Sequence, residues 1–189
     1  TAGDVKGDGF WDVLGSALLY DHPEADEGRV YVFHGSATGL SAVAAWTAEG
    51  DQAGAQMGWS PATAGDVNRD GYSDFIVGAY GFDNGQADEG RAYVYLGSLT
   101  GLSLAPAWTA DGNQDGAQFG MVVATAGDVN GDGFSDVLVG APLFDGGQID
   151  GGRAYVYHGS ATGLQGAPAW TAESDQPGEA EHCLRRAFE

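Results

Sequence analysis

Basic residues, cysteine and long apolar runs are scarce in this chain of 189 residues. Six arginines and one lysine, Lys6, stand against 27 acidic residues, which gives a net charge of −20. A surface this negative repels nucleic acid and anionic membranes, which argues against both as partners. The single cysteine, Cys183, cannot form an internal disulfide, and the chain has no run of 18 apolar residues that could span a membrane.

Glycine, by contrast, is abundant. The chain has 33 glycines and six prolines without a period of three, which excludes collagen and predicts many tight turns. A hydrophobic content of 43% predicts a folded domain rather than disorder. Thr1 is not an initiator methionine, which is consistent with removal of a leader, although no leader is visible in this chain.

One unit recurs every 62 residues without an insertion. Equivalent positions are Asp4, Asp66 and Asp128; Gly28, Gly90 and Gly152; and Trp46, Trp108 and Trp170. Such a fixed period is typical of repeat architectures. We predict one domain over residues 1–178, with an incomplete first unit at 1–54, full units at 55–116 and 117–178, and a C-terminal tail at 179–189.

Each unit contains a nine-residue loop with oxygen-bearing side chains at alternating positions and glycine at position 6. Ca²⁺ requires six to eight oxygen ligands, and a short loop can supply them only if it turns sharply. The predicted ligands of the second loop are Asp66, Asn68, Asp70, Asp74 and the backbone carbonyl of Tyr72. Those of the third loop are Asp128, Asn130, Asp132, Asp136 and the carbonyl of Phe134. An empty loop would leave these groups to repel one another, which favours bound metal over a solvated turn.

The first loop departs from this pattern. Asp4, Asp8, Asp12 and the carbonyl of Phe10 are equivalent candidate ligands, but Lys6 stands where the other loops have asparagine. A lysine can replace the cation by forming ion pairs. The sequence leaves open whether this loop binds a third Ca²⁺.

The residues after each loop exclude an EF-hand, which needs glutamate at position 12 and a following helix. Position 12 is Gly15, Val77 or Val139, and the segments that follow are short, β-branched and bounded by glycine. Such segments are typical of buried strands. Four strand candidates occur per unit; in the third they are residues 118–124, 137–142, 153–157 and the segment around Trp170. The spacing predicts an all-β fold of four-stranded antiparallel sheets, which repeat radially as the blades of a β-propeller.

Three motifs in order resemble the FG-GAP repeat, the blade unit of integrin α-subunit propellers and of many bacterial extracellular proteins. In the third unit they are Phe119-Gly120, the aspartate loop and Gly140-Ala141-Pro142. The second unit has Met57-Gly58 and Gly78-Ala79-Tyr80, and the first has Ser16-Ala17-Leu18. The resemblance implies Ca²⁺ between the first and second strands of a blade, an extracellular or cell-surface location, and a role in adhesion or ligand binding.

No catalytic constellation is present in the sequence: there is no serine–histidine–aspartate elbow, zinc-type spacing or phosphate loop. We therefore predict a Ca²⁺-binding module for ligand binding, adhesion or structural assembly, and not an enzyme. The alternative is the propeller portion of an extracellular polysaccharide-active enzyme, because some family members attach such blades to enzymes. A protein or glycan ligand fits either hypothesis, and the sequence does not identify it.

Other recurring residues suggest structural roles. Arg29, Arg91 and Arg153 lie close to acidic turns such as Asp26-Glu27 and Asp88-Glu89, and they are predicted to form structural ion pairs or to anchor these turns, with ligand binding as the alternative. The recurring tryptophans are predicted to pack between sheets, with sugar stacking as the alternative. Trp11 and Trp59 do not recur, which favours exposed positions.

The number of blades predicts association. Closed propellers usually have four to eight blades, whereas this chain encodes three. Two copies would supply six blades and close a ring, so we expect a homodimer. The alternative is that the chain is a fragment of a longer propeller. The tail at 179–189 is expected to form a short helix, to cover the neighbour's edge, or to be disordered.

Overall fold

A computed structural model describes residues 1–174, which form eleven β-strands in three antiparallel sheets. The first sheet contains β1 (Val13–Ala17), β2 (Arg29–Phe33) and β3 (Trp46–Glu49). The second contains β4 (Ala62–Gly65), β5 (Asp74–Ala79), β6 (Arg91–Tyr95) and β7 (Trp108–Asp111). The third contains β8 (Val122–Gly127), β9 (Asp136–Ala141), β10 (Arg153–Tyr157) and β11 (Trp170–Glu173).

These sheets, which we call the first, second and third blades, confirm the prediction of an all-β chain of antiparallel sheets. Within each blade the strands pair in sequence order. β4 lies beside β8, so the first strands of neighbouring blades meet. Residues 1–174 contain no helix that could cross a lipid bilayer. The predicted tail and residues 175–178 lie outside the described part of the chain.

The core lies between the blades. Every residue of β5 and β9 is buried, as expected for short apolar strands covered on both faces. Trp46 of the first blade packs edge-on against Tyr95 of the second, with ring centroids 4.7 Å apart. Trp108 of the second blade packs against Tyr157 of the third in the same way, at 4.8 Å. The predicted packing between sheets is confirmed for these two tryptophans.

Trp170, the third copy, is 51% exposed, so the same prediction is wrong for it. The residues described up to 174 place no further blade beside it. Trp11 and Trp59 are 68% and 50% exposed, as predicted.

The glycines of the recurring motifs bring neighbouring blades into backbone contact. Within the third blade, Gly120 N donates to Gly140 O at 3.0 Å. Across the junction, a Cβ on Gly78 of the second blade would lie 1.8 Å from Gly120 O. Only glycine permits this approach. Gln118 and Gly120 have φ angles of 55° and 84°, so the strand predicted at 118–124 begins only at Val122.

The recurring arginines do form ion pairs, but not with the predicted turns. Arg29 pairs with Glu49, Arg91 with Asp111, and Arg153 with Glu173. Each partner lies directly opposite its arginine on the last two strands of its blade. The acidic residues of the preceding turns, such as Glu27, are therefore not the partners of these arginines.

Candidate metal centre

The three aspartate loops occupy the same place in every blade. The second loop connects β4 to β5, and the third connects β8 to β9. The first precedes β1, and an isolated bridge between Gly3 and Asp12 closes it. All three therefore lie at one end of the sheets.

The second loop wraps around the carboxylate at its first position. Asp66 accepts hydrogen bonds from the amides of Asp70 (3.0 Å) and Gly71 (2.8 Å). Asn68 Oδ1 accepts from the Asp70 amide at 3.1 Å, and Asp70 Oδ1 accepts from the Tyr72 amide at 3.1 Å. These bonds gather the side-chain oxygens of positions 1, 3 and 5 on the inside of one turn.

The third loop repeats this arrangement. Asp128 accepts from the amides of Asp132 (3.0 Å) and Gly133 (2.8 Å), and Asn130 Oδ1 accepts from the Asp132 amide at 3.0 Å. The Phe134 amide and the Asn130 side chain both lower the pKa of Asp132. The loop therefore favours the ionised carboxylate, which is the form that binds a cation.

The carboxylate at position 9 is buried and ties the loop to the body of its blade. Asp74 accepts from the amides of Val67 and Gly97, both at 2.8 Å. Asp12 and Asp136 make the equivalent pairs of bonds. Burial raises the pKa of Asp74 to about 7, although both amide bonds lower it. A bound cation would favour its charged form.

In the first loop the ammonium group of Lys6 stands where the other two loops have the side-chain amide of asparagine. Lys6 Nζ pairs with Asp8 Oδ2. This contact raises the pKa of Lys6 and lowers the pKa of Asp8. In the other loops the asparagine Nδ2 donates to the same carboxylate oxygen, from Asn68 to Asp70 at 2.9 Å and from Asn130 to Asp132 at 2.8 Å. Lys6 therefore keeps the turn but adds a positive charge to it.

Neighbouring blades hold the loops in place. Asp66 N donates to Ser135 Oγ at 3.1 Å, and Ser135 N donates to Asp66 O at 3.0 Å. Asp4 and Ser73 form the same reciprocal pair between the first and second blades. Each of the first two loops is thus fixed by the blade that follows it.

In the second and third loops hydrogen bonds bring the side chains at positions 1, 3 and 5 into one turn, while the carboxylate at position 9 is bonded to two other amides. Over residues 1–174 no three carboxylates of one loop lie within 4.8 Å of one another. Over residues 1–174 that distance is met only by a different set: His22, Glu27 and Glu49 of the first blade. Sequence reasoning missed this set because His22 and Glu49 are 27 residues apart in the chain and are brought together only by the fold of β1 to β3. The available signal was that His22 aligns with Asn84 and Gly146 in the other units.

Comparison with known proteins places these loops in a family context. The family described as FG-GAP repeat matches residues 57–95 and 119–157, which include the second and third loops. Integrin alpha-PS2 of Drosophila melanogaster is 39% identical over 67% of this chain and 9% of its own length. Integrin alpha-V of Gallus gallus is 32% identical over 93% of this chain and 17% of its own. The chain thus spans less than a fifth of either relative.

Among solved structures, rhamnogalacturonan lyase YesW has a similar fold. The TM-score is 0.54 over 93% of this chain and 34% of the lyase chain, at 13% sequence identity. At that identity the likeness shows the fold alone.

Proposed function

This chain is an FG-GAP repeat protein similar to integrin alpha chains, and on that premise we propose that it is a Ca²⁺-stabilised propeller module that binds a ligand outside the cell. The observation that carries the proposal is the matched geometry of the second and third loops. In both, backbone amides hold the first and fifth side chains in one turn with acidic oxygens on its inside. That donor set is all oxygen and suits Ca²⁺.

Ca²⁺ would neutralise charges that the loops otherwise crowd together. The proposed ligands are Asp66, Asn68, Asp70, Asp74 and the Tyr72 carbonyl in one loop, and Asp128, Asn130, Asp132, Asp136 and the Phe134 carbonyl in the other. In the first loop Asp4, Asp8, Asp12 and the Phe10 carbonyl remain candidates. There the ammonium of Lys6 already pairs with Asp8, so a cation has to displace it.

The extracellular setting and the role in adhesion or ligand binding rest on the similarity to integrin alpha chains. Because this chain spans only a small part of those relatives, the partner is part of the proposal: a protein or a glycan. The enzyme alternative has less support. The similarity to a lyase shows the fold alone, and no observation on the described residues favours catalysis.

We further propose that a second copy covers the outer face of the third blade, giving six blades in a homodimer. The supporting observation is that Trp46 Nε1 donates to Ser103 O and Trp108 Nε1 donates to Gln165 O across the two junctions. In a ring of two copies, Trp170 would face the equivalent residue of the other copy, Ser41. One junction contact would differ, because Trp11 stands at the position of Ser73 and Ser135.

Thermal unfolding in millimolar Ca²⁺ and in excess EGTA tests the metal proposal. Ca²⁺ binds the folded loops and hardly the unfolded chain, so it should raise the melting temperature by several degrees. Asp70→Ala and Asp132→Ala should each remove about half of that increase, and Asp8→Ala should change it least. Glu24→Ala, which removes an exposed charge outside the loops, is the control. Superimposable melts in both buffers would contradict the proposal.

Replacing Lys6 tests the first loop separately. Lys6→Asn restores the residue found in the other loops and removes the competing charge. Calorimetric titration should then count up to one more Ca²⁺ per chain than in the parent protein. An unchanged count of two would mean that something other than Lys6 prevents binding, and an unchanged count of three would mean that Lys6 never did.

A further inference from the structure

His22, Glu27 and Glu49 form a compact cluster away from the aspartate loops. His22 and Glu27 lie in the connection between β1 and β2, and Glu49 ends β3. One ligand atom of each lies within 4.8 Å of the others, and His22 Nδ1 is 3.6 Å from Glu49 Oε2. The connection follows β1 whereas the first aspartate loop precedes it, so the cluster lies at the opposite end of the blade.

Glu27 is the unusual member. Its side chain is fully buried, with 0% exposure, and neither carboxylate oxygen has a hydrogen-bond partner. Burial raises the pKa of Glu27, and the His22 amide offsets only part of that rise. An unpaired buried carboxylate is costly unless another group compensates it.

In the second blade the carboxylate at the equivalent position, Glu89, has hydrogen-bond partners. Glu89 Oε1 accepts from the Asn84 amide at 2.6 Å, and Glu89 Oε2 accepts from the Asn113 amide at 2.9 Å. In the third blade this position is Gly151, which has no carboxylate. Only in the first blade, among the described residues, does an uncompensated carboxylate lie beside a histidine.

A proton alone would not resolve this arrangement, since a protonated Glu27 would bring a hydroxyl donor that also needs a partner. A divalent cation would satisfy both glutamates and the imidazole at once. One nitrogen and two carboxylates form a ligand set suited to Zn²⁺ and related metals, whereas Ca²⁺ takes oxygen ligands. We propose that His22, Glu27 and Glu49 bind a divalent transition metal, with Zn²⁺ as the probe and water completing the coordination.

Arg29 competes for one of these ligands without occupying the site. Its Nε lies 3.2 Å from Glu49 Oε1, while its terminal nitrogens donate to Tyr20 Oη at 2.8 Å and Thr47 Oγ1 at 3.0 Å. These bonds hold the guanidinium on one side of Glu49. Glu49 Oε2 is directed to His22 and is the oxygen assigned to the metal.

Calorimetric titration with Zn²⁺ in saturating Ca²⁺ tests this assignment, because Ca²⁺ occupies the oxygen sites first. The parent chain should bind one more Zn²⁺ than His22→Asn, which introduces the residue found at that position in the second blade. Glu27→Gln should lose the same ion. His182 and Cys183 remain in every variant, so Zn²⁺ bound there cancels in the difference. Equal Zn²⁺ numbers and dissociation constants for the parent and His22→Asn would overturn the proposal.

Two controls separate binding from folding. His34→Asn removes a histidine outside the cluster and should leave the Zn²⁺ count unchanged. Glu89→Gln should lower the melting temperature without changing the count, because Glu89 caps backbone amides. The His22 side chain is 72% exposed, so its replacement should leave the metal-free melting temperature unchanged. A rise in melting temperature with Zn²⁺ in the parent but not in His22→Asn would confirm the site independently.

Discussion

The face of the second blade that meets the third, and the outer face of the third blade, are made of equivalent residues in opposite environments. Trp108 and Val67 are 8% and 0% exposed, whereas Trp170 and Val129 are 51% and 56% exposed. Within their own blades the equivalent residues have equivalent partners: the tryptophans lie opposite equivalent valines of the neighbouring strand, and the valine amides donate to the position-9 aspartates. The difference therefore comes from the neighbouring blade, which covers one face and not the other.

In this repeat chain the burial of a residue on a blade face is therefore decided by the neighbouring blade and not by the repeat that contains the residue. Each blade alone is one thin sheet and gains its apolar core only when a neighbour packs on it. The hydrogen bonds that fix the aspartate loops also cross these junctions. Stability and loop order should therefore change together when a junction is weakened.

The largest expected difference in unfolding free energy is between alanine substitutions at Trp108 and at Trp170. Trp108→Ala removes a buried side chain and its bond to Gln165 O, and should lower the free energy of unfolding by about 3–5 kcal/mol. Trp170→Ala should lower it by less than about 1 kcal/mol in a dilute single chain. Urea unfolding followed by circular dichroism measures both. Equal losses would show that the outer face of the third blade is covered in solution.

A smaller difference in unfolding free energy is expected between alanine substitutions at two glycines that have nearly the same φ angle. Gly65 and Gly127 have φ angles of 78° and 73°, so alanine should cost about 1 kcal/mol or more at either position. A Cβ on Gly65 would also lie 2.4 Å from Ser135 Oγ, whereas Gly127 has no atom within 4 Å. Gly65→Ala should cost about 1 kcal/mol more, because it disrupts the bond between Asp66 N and Ser135 Oγ.

Unfolding curves of Gly65→Ala and Gly127→Ala in EGTA isolate this junction contact. Ser135→Ala is the matched control, since it removes the same hydroxyl without changing the glycine. The combination of Gly65→Ala with Ser135→Ala should cost less than the sum of the two single losses. Strict additivity would contradict the contact.

The periodic features of this chain could be predicted from the sequence because each depends on local chemistry. Alternating oxygens with a glycine at position 6 predict the turn at Asp66–Asp74, and β-branched segments bounded by glycine predict β5 and β9. The apolar pattern predicts the start of β8 at Gln118 instead of Val122, because the left-handed conformation of Gln118 leaves no trace in that pattern.

Features that depend on distant strands could not be predicted in this way. The arginines were expected to pair with acidic turns because those turns are near in sequence, but cross-strand register places Glu49, Asp111 and Glu173 opposite them. The same register leaves Glu27 unpaired and brings Glu49 to His22. Composition also gave no distinction between Trp108 and Trp170, since only the presence of a neighbouring blade separates them.

Substitutions on the outer face of the third blade should have the smallest effect on a single chain, so the molecular mass is the measurement that tests whether a second copy covers this face. If a second copy packs there, light scattering should give twice the chain mass of 19.4 kDa, and Trp170→Glu should return it to the mass of one chain. Leu99→Glu, at a residue 78% exposed in a turn of the second blade, adds the same charge elsewhere and should not change the mass.

Two copies with a net charge of −20 each repel one another, so association should strengthen with salt and with Ca²⁺. A mass of one chain at every salt and Ca²⁺ concentration would rule out the six-bladed ring. The open face would then require blades from a longer polypeptide.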